Sequence, residues 1–270
     1  MRYDLYVDPP ENMDVFTQIR LLVSHDSPLP IYLGLVHDKT SKATTKSLDT
    51  PFNHYLAGVK KLVDSLGIQL SLPDMNALPP GSWFFQCTFT LARPWISKDD
   101  DLFYVAESVN PVRKDKVFKI PIMAASSWKG LLRWTAMYTC LELQKGKLSD
   151  SRFAKERFVQ TLLFGDEKGE EPDKTKDWTA HLDSLKPGAR AEYENLLRNY
   201  FGLKPDDPLP HHRGRLNFYP SFFYAVDIEV INPHSRQSKA GTHPIYLECV
   251  PINASSTFSL LYVPFDLIGE

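Results

Sequence analysis

Apolar positions recur along this chain in two rhythms. From Asp49, DTPFNHYLAGVKKLVDSLGI sets Phe52, Leu56, Val59, Val63 and Leu66 at helical spacing behind an N-cap signal and a proline. WFFQCTFTLARPWI (83–96) alternates instead, with Phe85, Cys87, Phe89 and Leu91 on one side, and predicts a strand. Helical patterning returns over roughly 127–145, 151–164 and 189–200. Strand patterns follow at RLNFYPSFFYAVDIEVI (215–231), PIYLECVPI (244–252) and TFSLLYVPF (257–265). Nearer the start, FTQIRLLVS (16–24) and PIYLGLVH (30–37) read as strands, or as a short helix followed by a strand. SKATTKS (41–47) and the charged GDEKGEEPDKTKDW (165–178) read as solvated loops, and MNALPPGS (75–82) is a break. Helices and strands mix without a regular strand–helix–strand repeat, so the predicted class is α+β.

Charge and cysteine content narrow the chemistry. The 270 residues carry a formal net charge of −2, so there is no global basic field, and an anion site has to be local. Three cysteines, Cys87, Cys140 and Cys249, are far apart and form no CxxC pair. That pattern predicts reduced thiols, a cytoplasmic setting and no zinc site. His211, His212 and Cys249 lack metal-ligand spacing, and neither a phosphate-binding G-x-x-x-x-G-K-[ST] loop nor a G-x-S-x-G elbow occurs. No metal or cofactor is therefore expected. The opening MRYDLYVDPPENMD lacks the basic and apolar regions of a leader, and no apolar run reaches membrane-spanning length, so no membrane association is expected.

One local exception to the charge balance stands out. Between Ser108 and Arg133 lie six basic residues, Arg113, Lys114, Lys116, Lys119, Lys129 and Arg133, against one acid, Asp115. Within it, KIPIMAASSWKGLLRW (119–134) turns from an extended apolar run into a helix. Ser126 or Ser127 can cap that helix, and Lys129 and Arg133, four apart, share its face. A helix N-terminus offers unpaired N–H groups and partial positive charge, so phosphates are the natural partner. Such residues are also what an ordinary capped, solvated helix carries. Gly130 inside the helix predicts that a strand or a nucleic-acid backbone comes close.

Four segments in order resemble the CRISPR-associated RAMP superfamily. IPIMAASSWKGLLRW resembles its I-P-x-x-S-S-x-K-G-x-x-R signature through Ile120, Pro121, Ser126, Ser127, Lys129, Gly130 and Arg133, with Ala124–Ala125 where glycine is common and Trp128 where an aliphatic residue is usual. TLLFGDE (161–167) resembles the L-F-G step. HRGRLNFYPSFF (212–223) resembles the G-R-L-x-F strand, with Pro220 replacing the usual ending. EVINPHSRQSKAGTHPIYLECVP (229–251) resembles the late T-x-x-x-x-P-x-x-x-E-x-V-P segment. The resemblance spans about 83–265. It implies a ferredoxin-like, RRM-like RAMP core with inserted loops over 81–270, and leaves 1–80 as an N-terminal extension that fits a capping subunit. It implies a guide-RNA-binding structural subunit of a type III CRISPR effector complex in antiviral defence, whose partners are the guide RNA, the target RNA and other RAMP subunits. The RNA-binding set is then Arg113, Lys114, Lys116, Lys119, Ser126, Ser127, Lys129, Arg133, Arg213, Arg215, Arg236 and Lys239. The last two sit in a loop, NPHSRQSKAGTH, that would reach over RNA or a neighbouring subunit, and Glu248 beyond it is expected to face inward or be paired.

Enzymatic alternatives place their chemistry on other residues. Backbone subunits that cut target RNA tend to read D-N-P-V-x-R-D where this chain reads SVNPVRKD, so Val109 stands in the aspartate's place. Valine can neither activate a 2′-hydroxyl nor hold a metal ion. As an endoribonuclease the chain would need Asp99, Asp100 or Asp101 as substitute, or more weakly Glu107. A guide-processing role would use His211 or His212, but neighbours in a strand face opposite ways and the glycine-rich loop of that branch is missing. A protein-only scaffold is the remaining alternative. Phe222, Phe223 and Tyr224 cannot all face one way, so at least one is expected to point away from the core.

Overall fold

A computed structural model describes residues 13–15, 17–18, 28–37, 49–67, 72–98, 109–166, 178–234, 241 and 243–264. The fold is mixed α+β with mainly antiparallel sheets. The chain forms two compact units. The first holds Met1–Ser71, Cys87–Met123 and Pro220–Phe258; the second holds Leu72–Gln86, Ala124–Tyr219 and Ser259–Glu270.

Among the described residues of the first unit are the helices α1 (Pro28–Val36) and α2 (Pro51–Ser65). The α2 prediction holds, with Thr50 rather than Asp49 as cap: the Thr50 hydroxyl accepts from the Asn53 N–H, and a proline opens the first turn. Phe52, Leu56, Val59 and Val63 are buried as their spacing requires, while Leu66 stays exposed. The 30–37 segment, where the pattern predicts a strand, is helical through Val36. Its residues are apolar on every side, which leaves the period undecided, and Tyr32 and Val36, one helical turn apart, are what the core takes in. Most of 16–24 and all of 41–47 lie outside the described residues.

Short strands complete this unit. After β1 (Trp83–Thr90) come β2 (Val109–Asn110) and β3 (Ile122–Met123); β5 (Ser221–Phe222), β6 (Asp227–Ile231) and β7 (Ile245–Cys249) follow late in the chain, with β4 described below. β6 pairs antiparallel with β7, and β2 pairs parallel with β7's other edge, Val109 facing Tyr246. β3 pairs antiparallel with β5. Their core combines Tyr32, Val36, Phe52 and Leu56 of the helices with Val109, Val112, Phe223, Val226, Ile228 and Val250. Phe222, the last residue of β5, is exposed and Phe223 just after it is fully buried, so one of the aromatic run points away from the core as expected.

A buried polar group ties this unit together. The Glu248 carboxylate accepts from the Tyr32 hydroxyl at 2.5 Å and from the Val112 N–H at 2.9 Å, and it pairs with the Lys114 ammonium. The Lys114 and Glu248 side chains are 4% and 1% exposed. Burial first, then the Glu248 charge and the hydrogen bond to it, holds the Tyr32 hydroxyl well above its usual value near 10. A group whose proton is held more tightly when folded lends stability that is complete below its unfolded value and is lost as pH rises toward the folded one. Stability is therefore expected to fall above about pH 10, and Tyr32→Phe to flatten that fall. Urea titrations on both sides of that pH check it; parallel declines in parent and variant would refute it.

The second unit is helical, with strand segments of a three-stranded sheet. α3 (Ala125–Met137) runs on through a π-helical stretch to Glu142, and is followed by α4 (Asp150–Phe164), α5 (Trp178–Leu185) and α6 (Arg190–Phe201). The Ser149 hydroxyl caps α4 and left-handed Gly202 closes α6. Met137, Leu141, Phe153, Ala154, Leu182, Tyr193 and Leu197 form the core between them. α5 begins where the charged loop ends, in a segment for which the sequence pattern predicts no helix; residues 167–177 of that loop lie outside the described residues. β4 (Leu216–Phe218) pairs antiparallel with β8 (Ser255–Tyr262), Leu216 facing Tyr262, and β8 pairs in turn with β1. No helix among the described residues is long and apolar enough to cross a membrane.

Candidate nucleic-acid interface

The residue before α3 is Ala124, extended at φ −65° and ψ 151°. Alanine has no side-chain oxygen, so no side chain caps the helix, and Ser126 and Ser127 lie inside its first turn instead of capping it. The Ser127 N–H donates to the Ala124 carbonyl at 2.9 Å, and Ser126 is exposed. This bare N-terminus opens on a groove of about 490 Å3. Ala125, Ser126 and Lys129 line one side and residues 213–219 the other, with Leu261 of β8 and Val263 just after it completing the lining. The signature helix and the G-R-L strand, some eighty residues apart in sequence, thus bring Lys129, Arg213 and Arg215 to one place. Arg213 is exposed and donates to Asn217 Oδ1 at 3.0 Å.

A backbone crossing sets that wall. Gly165 ends α4 at φ +87°, and Gly214 lies against it. A Cβ on Gly214 would come within 2.4 Å of the Leu163 oxygen and 2.5 Å of the Gly165 nitrogen; one on Gly165 would come within 2.8 Å of the Gly214 nitrogen. Only two glycines fit. The Arg215 N–H then donates to the Leu162 carbonyl at 3.0 Å, and the Asp166 N–H to the His212 carbonyl at 3.1 Å. Asp166 returns the contact, its carboxylate accepting from the His212 N–H at 2.7 Å and meeting His211 Nδ1 at 3.1 Å. The sequence signal for this crossing was one glycine in each of two resemblance segments. At Gly130, where the sequence predicts that a strand or a nucleic-acid backbone comes close, the residue is exposed and a Cβ would meet no atom of another described segment within 4 Å, so no described strand makes that approach.

Arg133 belongs to the crossing. Its guanidinium donates to the Asp166 carbonyl at 2.9 Å and the Gly165 carbonyl at 3.2 Å, and lies 5.4 Å from the Trp178 ring centre. It is half-buried and holds the end of α4 to α3, where the sequence suggested a solvent-facing partner of Lys129. His211 is exposed and His212 buried, so the two do not share a site.

The remaining basic residues of the signature approach lie in the first unit. Arg113 and Lys116 are exposed, and Lys119 is half-buried at a left-handed φ of 57°. Asp115 shapes the turn between them by accepting from the Val117 and Phe118 N–H groups at 3.1 and 2.5 Å. Lys114 faces inward: in an extended segment alternate residues face opposite ways, and Glu248 claims its charge inside the core. Glu248 is thus both inward-facing and paired, as expected. Val109 is also buried, its backbone paired with β7. Asp99, Asp100, Asp101, Glu107, Arg236 and Lys239 lie outside the described residues. Among the described residues no group of three His, Cys, Asp or Glu could hold a metal ion.

A family model described as the RAMP superfamily matches residues 104–239. The chain belongs to the RAMP superfamily. No curated protein matches it. Solved structures similar to this RAMP protein include a chain of the type III-B Cmr-beta complex bound to cognate target RNA, 14% identical, covering 96% of this chain and 81% of that one at a TM-score of 0.38. Cmr6 from Pyrococcus furiosus is 13% identical, with 68% and 84% covered and a TM-score of 0.30. A chain of a CRISPR RNA-guided surveillance complex in a pre-nicking state is 13% identical, with 66% and 64% covered and a TM-score of 0.32. The RAMP match takes in the signature helix, both crossing glycines and the Arg213–Arg215 wall.

Proposed function

We propose that this RAMP protein is a guide-RNA-binding structural subunit of a type III CRISPR effector complex acting in antiviral defence. The observation that carries the reading is the groove in which Ser126 and Lys129 meet Arg213 and Arg215 beside an uncapped helix end. Backbone N–H groups with partial positive charge and two or three cations suit successive phosphates of a single strand. Contacts of this kind position RNA without reading its sequence, as holding a variable guide requires. Arg113, Lys116 and Lys119 are proposed as further RNA contacts; Arg236 and Lys239 are proposed to reach over the RNA or an adjacent RAMP subunit. The proposal takes residues 81–270 as a diverged ferredoxin-like RAMP domain and 1–80 as an extension whose helices pack into the first unit's core. Target RNA and neighbouring RAMP subunits complete its partners.

The double change Lys129→Ala and Arg213→Ala tests this reading by single-stranded RNA binding over a salt series. Each lost phosphate contact lowers the log–log salt slope by about 0.7, so the pair should flatten it by roughly 1.4. Both residues line an open groove, so thermal stability should hold within about 0.5 kcal/mol. An unchanged slope would refute the phosphate groove and favour the protein-only scaffold.

A further inference from the structure

The second unit carries an aromatic surface that phosphate binding does not use. On β1, the Trp83 indole lies against the Tyr262 ring, centroids 5.4 Å apart and planes within 14° of parallel. The Tyr262 hydroxyl is 3.4 Å from Arg215 Nη1, and the other amino group of Arg215 donates to the Tyr200 hydroxyl. The Arg215 guanidinium also lies 5.8 Å from the centre of the Tyr200 ring. Trp83, Tyr262, Arg215 and Tyr200 thus form one continuous ladder of flat groups. Its Trp83 end is 44% exposed, while Tyr200 at the other end packs against Phe158 and Phe201. Phe85, two residues along β1 and so on the same side, is 49% exposed.

Two features say what this surface takes. Arg215 is shared: it is a rung of the ladder and a lining residue of the cationic groove. A strand whose phosphates lie in the groove therefore runs beside the rings. The ladder also presents a cation and ring faces with no carboxylate among its four members, which suits an anionic chain bearing flat π-systems. Aromatic side chains accept any nucleobase this way because every base has a π-face.

We propose that Trp83, backed by Tyr262 and flanked by Phe85, is a stacking site for an unpaired nucleobase of the RNA whose phosphates occupy the groove. The proposal rests on the RNA-binding reading and adds a base subsite to it. Tyr262 holds the indole in one plane, and Arg215 couples that plane to the phosphate wall. Stacking involves no counterion release, so it contributes affinity without contributing to the salt slope.

The test pairs a change in the protein with a change in the ligand. The full chain and its Trp83→Leu and Trp83→Phe variants are titrated with an oligoadenylate of about a dozen nucleotides and with an equally long oligomer of abasic ribose phosphates. Trp83→Leu is expected to weaken oligoadenylate binding about tenfold, leave the abasic oligomer unaffected and preserve the salt slope. Trp83→Phe, which keeps a ring, is expected to restore most of the loss. Equal weakening of both oligomers by Trp83→Leu would overturn the stacking site. So would unchanged oligoadenylate binding, and if that variant lost self-association instead, the surface would belong to a protein contact. A parent chain that binds neither oligomer would overturn the RNA reading itself, and the subsite with it.

Discussion

Glu248→Ala is expected to destabilise the protein by about 3–5 kcal/mol, the usual loss when one partner of a buried ion pair is removed. Lys114 would keep its charge in the core, with the Phe52 ring face 5.5 Å from its nitrogen. The Tyr32 hydroxyl and the Val112 N–H would lose their acceptor as well, and each orphaned buried donor carries its own desolvation cost. Against a typical total stability of about 5–15 kcal/mol, that is roughly a fifth or more. Lys114→Met is expected to be severe for the converse reason, leaving Glu248 buried with two neutral donors. The double variant Lys114→Met with Glu248→Leu removes both charges and should recover much of the loss, because an apolar pair of similar volume often replaces a buried ion pair at little cost. Urea unfolding of the three variants measures this. Single changes that cost under about 1 kcal/mol, or a double variant as unstable as the sum of the singles, would refute the buried pair.

Gly214→Ala is expected to cost about 3 kcal/mol or more, at or above the upper end for overpacking, because what the new methyl meets is backbone. The Leu163 oxygen, the Phe164 carbon and the Gly165 nitrogen would all lie within 2.5 Å of it. No side chain there can rotate aside, so the end of α4 and the strand entering β4 must separate. Separation breaks the Arg215–Leu162 and Asp166–His212 backbone bonds, moves the carbonyls that Arg133 holds, and displaces the arginine wall of the groove. RNA affinity is thus expected to fall together with stability. Gly130→Ala is the control: its Cβ enters open space on the signature helix, and alanine favours a helix over glycine by roughly 1 kcal/mol. Thermal melting of both variants decides the matter. A Gly214→Ala protein that melts with the parent would show that the crossing is not tight.

The sequence by itself determined the elements whose causes are local. α2 and α4 have a hydroxyl cap and helical apolar spacing within a few residues, and α3 and α6 have the spacing alone; all four lie where that pattern put them. β1, β7 and β8 likewise fall in segments with strand patterning, although Phe85 and Cys87 of β1 are exposed, and four short segments in order were enough to point to the RAMP superfamily. Tertiary structure decided whatever depends on partners distant in the chain. The run 215–231 reads as one strand but is three, because β4 pairs with β8, β5 with β3 and β6 with β7, and Pro220 between the first two has no N–H for a ladder. The apolar stretch of α1 was undecided until Tyr32 found Glu248, 216 residues away. Charge is visible in composition, but its use is not. Of six basic residues in one segment, Lys114 went into the core and Arg133 to two carbonyls, while Lys129 met Arg213 and Arg215 in the groove. A local pattern records how a residue relates to its neighbours in sequence; which of several identical charges is spent inside the fold depends on a carboxylate or carbonyl that only folding brings within reach.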